Sequence, residues 1–581
     1  MSRIESIQSS AVSQHPDLGH IIAPETPDVL PGFPPSAIAD ALRRLPEDEL
    51  KLALSSKILP LITLPGLRLF ATFGEAALRK ARAEGLKIIA GGQVADFIRA
   101  SREAVGHMLL KEATFDLVRR FPSRSASVRL IGWQKAVAVA AVALLPGLIL
   151  LAPASWTIAA VSLLSGLFFL SVIALRIFCL LPAARTARVK PAAVPDAQLP
   201  TYTVLVPLFR ETSVLGQLLT ALTSLNYPPQ LLDIKLILEE SDILMQRAVA
   251  GLPLPPQFEV IVVPSGLPQT KPRALNYALP YARGELLTIF DAEDIPEPRQ
   301  LRLAAGHFAV LPVETACLQA ELVFYNPNEN WLTRMFTIEY ATLFGIMLPA
   351  LAQHGLPFPL GGTSNHFRTA VLRRIAAWDP FNVTEDADLG LRLARAGYQT
   401  GTIDSRTYEE ANVKLLNWMR QRARWFKGFL QTWLVHMRHP SRFFQEVGPT
   451  AFWAAQTMTL GVFASALLHP FFLAATLALF VFGEAMPTDA GLLRIAMAGL
   501  NLLVLLSGYV VAMIAGWRSL MHLRITGWAP WLLTVPAYWL LMSLAAWLAL
   551  WQFIVAPFHW NKTEHGLSRS QRRKRHEKQQ S

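Results

Sequence analysis

Cysteine, charge and metal-ligand pairs are what this sequence has least of. Two cysteines in 581 residues, Cys179 and Cys317, are too few and too far apart for a disulfide framework or a thiolate metal site, which fits a reducing compartment and suggests no redox chemistry. No His/Cys spacing suggests zinc. Charged residues make up 17% of the chain against 52% hydrophobic, too greasy for an ordinary soluble protein and too long for one domain. The stretch MSRIESIQSSAVSQHPDLGH has no apolar core, so no cleavable signal peptide is expected there and insertion falls to internal helices. The net charge of +12 comes from Lys and Arg clustered beside apolar segments, where anionic headgroups would meet them. Membrane lipids are therefore the expected partner, and nucleic acid is not.

What is present divides into blocks. Residues 1–36 are rich in Pro, Ser and Asp and are expected to form a disordered leader. Residues 37–125 predict a small α/β domain: two strands about a turn in ILPLITLPGLRLFATF, a helix in EAALRKARAEG, a strand in LKIIAGG and a helix in QVADFIRASREAVGHMLL. A transmembrane hairpin is expected over 130–183, from apolar runs at 136–153 and 156–181, each long enough to cross roughly 30 Å of hydrocarbon. Arg185, Arg188 and Lys190 then place its end in the cytosol. Residues 200–410 alternate strand with helix as a soluble domain, and 411–450 read as an amphipathic interfacial helix region. Over 451–557 four crossings are expected, the first pair turning at His469 and Pro470, with Arg518 and Arg524 in an outer loop and Glu484 and Asp489 inside. The basic tail within 558–581 belongs in the cytosol.

The soluble domain carries the chemistry. TYTVLVPLFRE is an almost unbroken apolar strand ending at Glu211, as a parallel sheet buried on both faces requires, and polar residues at such strand ends fall where open α/β sheets bind ligands. LDIKLILEESD ends in Glu239 and Glu240, and TKPRALNYAL brings Lys271. In GELLTIFDAEDIPEP, Asp291, Glu293 and Asp294 stand within four residues; such a cluster suits Mg²⁺ or Mn²⁺ bridging to a diphosphate, although an acidic turn before a helix has the same composition. Gly361 and Gly362 of LGGTSNHF allow close approach of backbone to substrate. Thr384, Glu385 and Asp386 precede the helix ADLGLRLARAG, where a carboxylate serves as general base or as a helix cap.

The order VPLFRE, LILEESD, TKPRALN, DAED, GGTSNHF, TED and QRARW resembles the membrane-embedded family 2 glycosyltransferases of GT-A fold, the group of bacterial cellulose synthase and related β-glycan synthases. The likeness is dense over about 200–435, and the order of elements in 37–125 resembles the N-terminal domain of type II secretion ATPases. The resemblance implies an α/β GT-A domain inserted between transmembrane helices of a multi-pass protein in a bacterial inner membrane, with the catalytic domain and both termini cytosolic. It implies that Glu211 and Glu239 or Glu240 face the donor nucleotide, that Lys271 lies near it, and that Asp291, Glu293 and Asp294 form the metal site. It implies Thr384, Glu385 and Asp386 as the catalytic group with Asp386 the base, Arg422 and Arg424 on the donor diphosphate, and Gln421, Trp425, Gly362 and Thr363 on the acceptor side. The segment FHWNKTEHG resembles a gating loop, with Trp560, Thr563, His565 and Gly566 in its pattern.

The activity so implied is processive, inverting transfer from a UDP-sugar, UDP-glucose foremost, to a growing glycan, with Mg²⁺ or Mn²⁺ and an export partner in the outer envelope. Two alternatives stand beside it: a glycolipid synthase with a lipid acceptor, and an inactive membrane scaffold or nucleotide sensor. No paired-arginine site for a cyclic dinucleotide follows the membrane region, so such regulation through 37–125 is only a hypothesis.

Overall fold

A computed structural model describes residues 30–64, 67–151, 154–181, 189–481 and 491–556. The chain divides into two compact units, Met1–Val105 and Gly106–Ser581.

In the first unit, helices α1 (Pro35–Arg44) and α2 (Glu47–Ser56) precede strands β1 (Ile58–Leu64) and β2 (Leu67–Phe73), helix α3 (Glu75–Ala83), strand β3 (Lys87–Gly92) and the start of helix α4 (Val94–Arg120). β1 pairs antiparallel with β2, and β2 pairs parallel with β3. From β1 onward this is the element order read from the sequence. The compact unit ends at Val105, not near 125, because the second half of α4 bonds the second unit, Asn276 Nδ2 donating to the Ala113 carbonyl at 2.9 Å.

The second unit opens with the apolar helices α5 (Gly132–Leu151) and α6 (Ala154–Leu180). A mixed sheet follows, with helices between its strands: β4 (Tyr202–Leu208), α7 (Leu215–Thr223), β5 (Leu232–Glu239), α8 (Ile243–Ala250), β6 (Phe258–Val263), α9 (Lys271–Ala278), β7 (Leu286–Ile289), β8 (Ile295–Pro296), α10 (Gln300–Val310) and β9 (Thr315–Phe324). The helical run α11 (Trp331–Thr342), a π turn (Leu343–Met347) and α12 (Leu348–Gln353) leads to β10 (Asn365–Arg368), α13 (Thr369–Arg374), α14 (Glu385–Arg395) and β11 (Gln399–Glu409). Strand order is β6-β5-β4-β7-β10-β9-β11-β8, with the first four strands parallel. Every residue of β5 is buried, which explains its continuous apolar reading. The chain starts at β4, steps outward through β5 and β6, and returns to β7 on the other side, so the ends of β4 and β7 flank a topological switch point, where such sheets open a crevice.

Helix α15 (Leu415–His436) carries the QRARW segment, followed by α16 (Pro440–Val447), α17 (Pro449–Gln456), α18 (Val462–Val481), α19 (Gly491–His522) and α20 (Val535–Val555). Among the described residues, five stretches are long and apolar enough to cross a membrane: Ala160–Leu180, Trp331–Gln353, Pro449–Leu477, Ile495–His522 and Ala529–Val555. One of them, Trp331–Gln353, leaves the sheet after β9 and returns to it at β10, neighbouring strands, and two-thirds of its apolar window is buried.

The expected turn at His469 and Pro470 is absent. α18 runs through both, since proline inside an apolar helix removes one backbone bond without ending the helix when neighbouring helices cover the site. Arg518 and Arg524 do not lie in a distant outer loop either. Arg518 donates to the Leu180 carbonyl, and His522 Nε2 sits 2.9 Å from Glu321 of β9, so this end of α19 lies at the mixed sheet. α20 runs alongside α15 in the same direction. Tyr538 meets Trp418 at their early ends, and Ala545, Ala546 and Ala549 pack with Ala423, Phe426 and Leu430. Glu484 and Asp489, the basic flank at 185 and 188, and the tail lie outside the described residues.

Candidate active site

One cavity of about 1250 Å³ begins at the ends of β4 and β7 and continues between α6, α18, α19 and α20. Glu211, Glu239, Lys271, Asp291, Glu293, Gly362, Thr363, Glu385, Asp386, Gln421, Arg424 and Trp425 all border it. Residues 200 positions apart in sequence thus meet in one crevice.

Lys271, at the start of α9, is the hub. Its Nζ bonds Asp291 and the Gly362 carbonyl, the latter at 2.7 Å. Burial opposes its charge, but Asp291, Glu385 and Asp386 outweigh that and raise its pKa. Arg424 enters from α15. Burial lowers its pKa, while the carboxylates of Glu385, Asp386, Asp291 and Glu293 hold its charge. Two cations therefore face four carboxylates around a space that a diphosphate would fill.

Glu385 and Asp386 open α14. Burial, then the neighbouring Asp386, pushes Glu385 up to about 8, and burial raises Asp386 as well. Asp386 Oδ1 accepts the Ala387 N–H at 2.7 Å. A side chain at Gly362 would put its Cβ 3.2 Å from Asp386 Oδ2, so the glycine leaves room at the carboxylate. A base with a raised pKa works only above it. We expect kcat/KM of the free enzyme to rise with pH along a limb displaced above the ordinary carboxylate range of about 4, checked by a pH–rate profile.

Several expected roles need correction. Glu240 does not border the cavity: its Oε2 accepts the Ser265 N–H at 2.9 Å, and Glu239 alone of the two faces the crevice, held by Arg273 at 2.7 Å. Asp294 is 1% exposed and points inward, its Oδ2 accepting the Asp291 N–H at 2.6 Å and the Thr363 hydroxyl. It braces the loop and leaves the metal set, and Thr363, so engaged, shapes the wall without offering its hydroxyl to an acceptor. Thr384, expected in the catalytic group, packs its side chain against Gly428. Trp560, Thr563, His565 and Gly566 lie outside the described residues.

Arg422 is the largest change. Expected on the diphosphate, its guanidinium is instead paired with Glu339, Nη1 to Oε1 at 2.7 Å, and lies over the rings of Phe336, Trp418 and Trp425 at 4.5, 5.4 and 4.7 Å. Tyr538 of α20 also donates to Glu339, at 2.6 Å. Two residues apart on a helix means roughly 200° of rotation, so Arg422 and Arg424 leave α15 in different directions. Arg422 instead backs Trp425, which stacks on Tyr340 at 6.0 Å. Replacing Glu339 with Ala strands that guanidinium, and we expect a loss of about 3 kcal/mol, read as a lower melting temperature, with a raised acceptor KM.

The sequence reading passed over Glu339, Arg176, Ser465 and Trp539, and took His469 only for a turn. Each is polar or amphipathic within an apolar run, and that alone is a signal of function. Among the described residues no group of three or more His, Cys, Asp or Glu is arranged to hold a metal. Asp291 and Glu293 border the cavity without Asp294, which fits a Mg²⁺-type ion that takes one or two carboxylates and completes its shell with substrate phosphates.

Residues 200–428 match the family model "Glycosyltransferase like family 2". The chain is 26% identical over 243 residues to the probable glycosyltransferase YdaM of Bacillus subtilis, covering 40% of this chain and 56% of that protein. It is 26% identical over 249 residues to the beta-monoglucosyldiacylglycerol synthase of Synechocystis sp., covering 41% and 50%. A cellulose synthase catalytic subunit [UDP-forming] of Pseudomonas fluorescens is 28% identical over 235 residues, covering 38% of this chain and 30% of that one. The chain thus spans about half the length, or less, of these curated relatives. Among solved structures, the mannosyltransferase PcManGT of Pyrobaculum calidifontis, in complex with GDP-Man and Mn²⁺, aligns with 68% of this chain and 99% of its own, at 16% identity and a TM-score of 0.45. Residues 200–428, built on a mixed sheet with acids at its switch point, thus match a family 2-like glycosyltransferase domain, which supports a transferase.

Proposed function

We propose that the protein is a membrane-embedded, inverting hexosyltransferase that extends a β-linked glycan from a UDP-sugar, UDP-glucose foremost, and passes the product between its apolar helices. One observation carries the reading: the cavity that holds Asp386, Lys271 and Arg424 continues past Trp425 into the helices, where Arg176, Ser465, His469 and Trp539 border it. Ser465 Oγ and His469 Nδ1 are buried there without a hydrogen-bond partner among the described residues. Polar atoms beside an indole are what a sugar chain needs in order to pass through an apolar bundle.

In the reaction, Asp386 takes the proton of an acceptor hydroxyl held against Trp425. The oxygen attacks the anomeric carbon of the donor, and the bond from that carbon to the β-phosphate oxygen breaks. UDP leaves with its added charge facing Arg424 and Lys271. Asp291 and Glu293 would hold Mg²⁺ or Mn²⁺, which when bound supplies positive charge to the diphosphate. Attack opposite the leaving group inverts the α-linked donor to a β-linked product. The bacterial inner membrane, a cytosolic catalytic domain and an export partner beyond the bilayer belong to this reading.

A glycolipid product is the second reading, favoured by the aliphatic stretch of cavity wall at Val172, Ile173, Val504 and Leu505. The test is UDP release from purified membranes given UDP-glucose and Mg²⁺ or Mn²⁺, with the labelled product sized and digested by β-glucanases. Long β-glucan supports polymerisation. A short lipid-extractable glycoside moves the assignment to the second reading, and no turnover with any nucleotide sugar leaves the scaffold.

A further inference from the structure

Gln421, Arg424, Trp425, Gly428, Gln431 and Thr432 follow the spacing of one helix face along α15. The first three border the reaction space. The last three bind something else, the loop Phe381–Thr384 that leads into the base. Gln431 Nε2 donates to the Phe381 carbonyl at 3.0 Å, and its Oε1 accepts the Val383 N–H at 3.2 Å. Asn382 Nδ2 donates to Thr432 Oγ1 at 3.0 Å, while Asn382 Oδ1 accepts the Thr384 N–H at 3.1 Å. Gln431, Thr432 and Asn382 are 4%, 0% and 3% exposed, so these bonds have no competition from water.

Gly428 closes the arrangement. A Cβ there would lie 2.8 Å from Thr384 Cβ and nearer still to its Oγ1 and Cγ2, so any side chain would push the loop away from α15. Beyond the loop, Asp388 of α14 is fully buried and bonds His436 Nε2 at 3.0 Å, fixing the other end of the contact at the last residue of α15.

We propose that Gly428, Gln431 and Thr432 are positioning residues that lock the general base to the helix carrying the diphosphate cation, so that Asp386 and Arg424 keep one fixed separation across the reacting bond. This rests on the reading of Asp386 as base. Displacement of about 1 Å at a reacting group costs on the order of 10²-fold in rate even when binding is unchanged. Thr384, read from the sequence as catalytic, becomes the surface against which the lock closes.

The experiment is steady-state transfer by the full-length protein in membranes, with donor kcat and KM measured separately. Gly428→Ala is expected to lower kcat about 100-fold with donor KM within a few-fold. Adding Thr384→Ala, which removes the two nearest of the three overlapping atoms and leaves only the Cβ at 2.8 Å, is expected to recover about tenfold of that loss. Thr432→Val is expected to lower kcat about tenfold and Thr432→Ser to restore it, since serine keeps the hydroxyl that Asn382 needs. Wild-type kcat in Gly428→Ala, or a folded Gly428→Ala that the second substitution leaves unimproved, overturns the proposal. Should Gly428→Ala fail to reach the membrane, the Thr432 pair decides, and equal kcat in Val and Ser variants overturns it. Asp386→Asn in the same series separates the claims. Normal turnover of that variant removes the base assignment, and the positioning of the base with it; loss there beside normal turnover in Gly428→Ala removes the positioning alone.

Discussion

Asp386→Asn is expected to reduce transfer about 1,000-fold while leaving donor KM within a few-fold, measured as UDP release from purified membranes. An amide keeps the Ala387 N–H bond and the room beside Gly362, so the geometry survives and only the proton acceptor is lost. Retention of more than a tenth of the wild-type rate would place the base elsewhere, with Glu385 the next carboxylate to replace. Because Glu385 is held protonated to about 8 by burial and by Asp386, it is the poorer base near neutrality. The two carboxylates divide by environment, although they are neighbours in sequence.

Arg424→Ala should cost about 10²–10³ in kcat, as removal of a preorganised charge at a leaving group does. Arg424→Lys should recover part of it, since a lysine keeps the charge and loses the planar fork. Arg424 is buried and its charge faces the acids Glu385, Asp386, Asp291 and Glu293, so a bound diphosphate has to take that cation over from them. UDP affinity by calorimetry on the Ala variant should fall along with the rate. Unchanged kcat would transfer the leaving-group role to Lys271.

How much of this was legible beforehand varies by element. β4, β5 and β7 announce themselves because strands buried on both faces tolerate few polar residues, and their acidic ends mark the crevice. Pro470 misled because a proline reads as a break in water, whereas an apolar bundle absorbs it. Asp294 could not be told from Asp291 and Glu293 by composition. Its inward turn depends on the Thr363 hydroxyl, 69 residues away. Arg422 was separable in principle, because helix rotation sets it apart from Arg424, but its partner Glu339 sits in another helix with no motif to flag it. Contact across the fold leaves no local trace in sequence, and the Gly428–Thr384 approach is the same kind of fact.

The cavity draws its walls from segments before the transferase domain and from others well after it: Arg176 on α6, His469 on α18, Val504 on α19 and Tyr538 on α20. Such a site has no boundary at which the catalytic portion could be cut free and moved to another protein as a cassette. Residues 200–410 taken alone would lack Arg424 and Trp425 and would expose the mouth of the crevice to water. Work at this site therefore needs the helices attached, and a change in what fits it can start from a substitution at any of these widely separated wall positions.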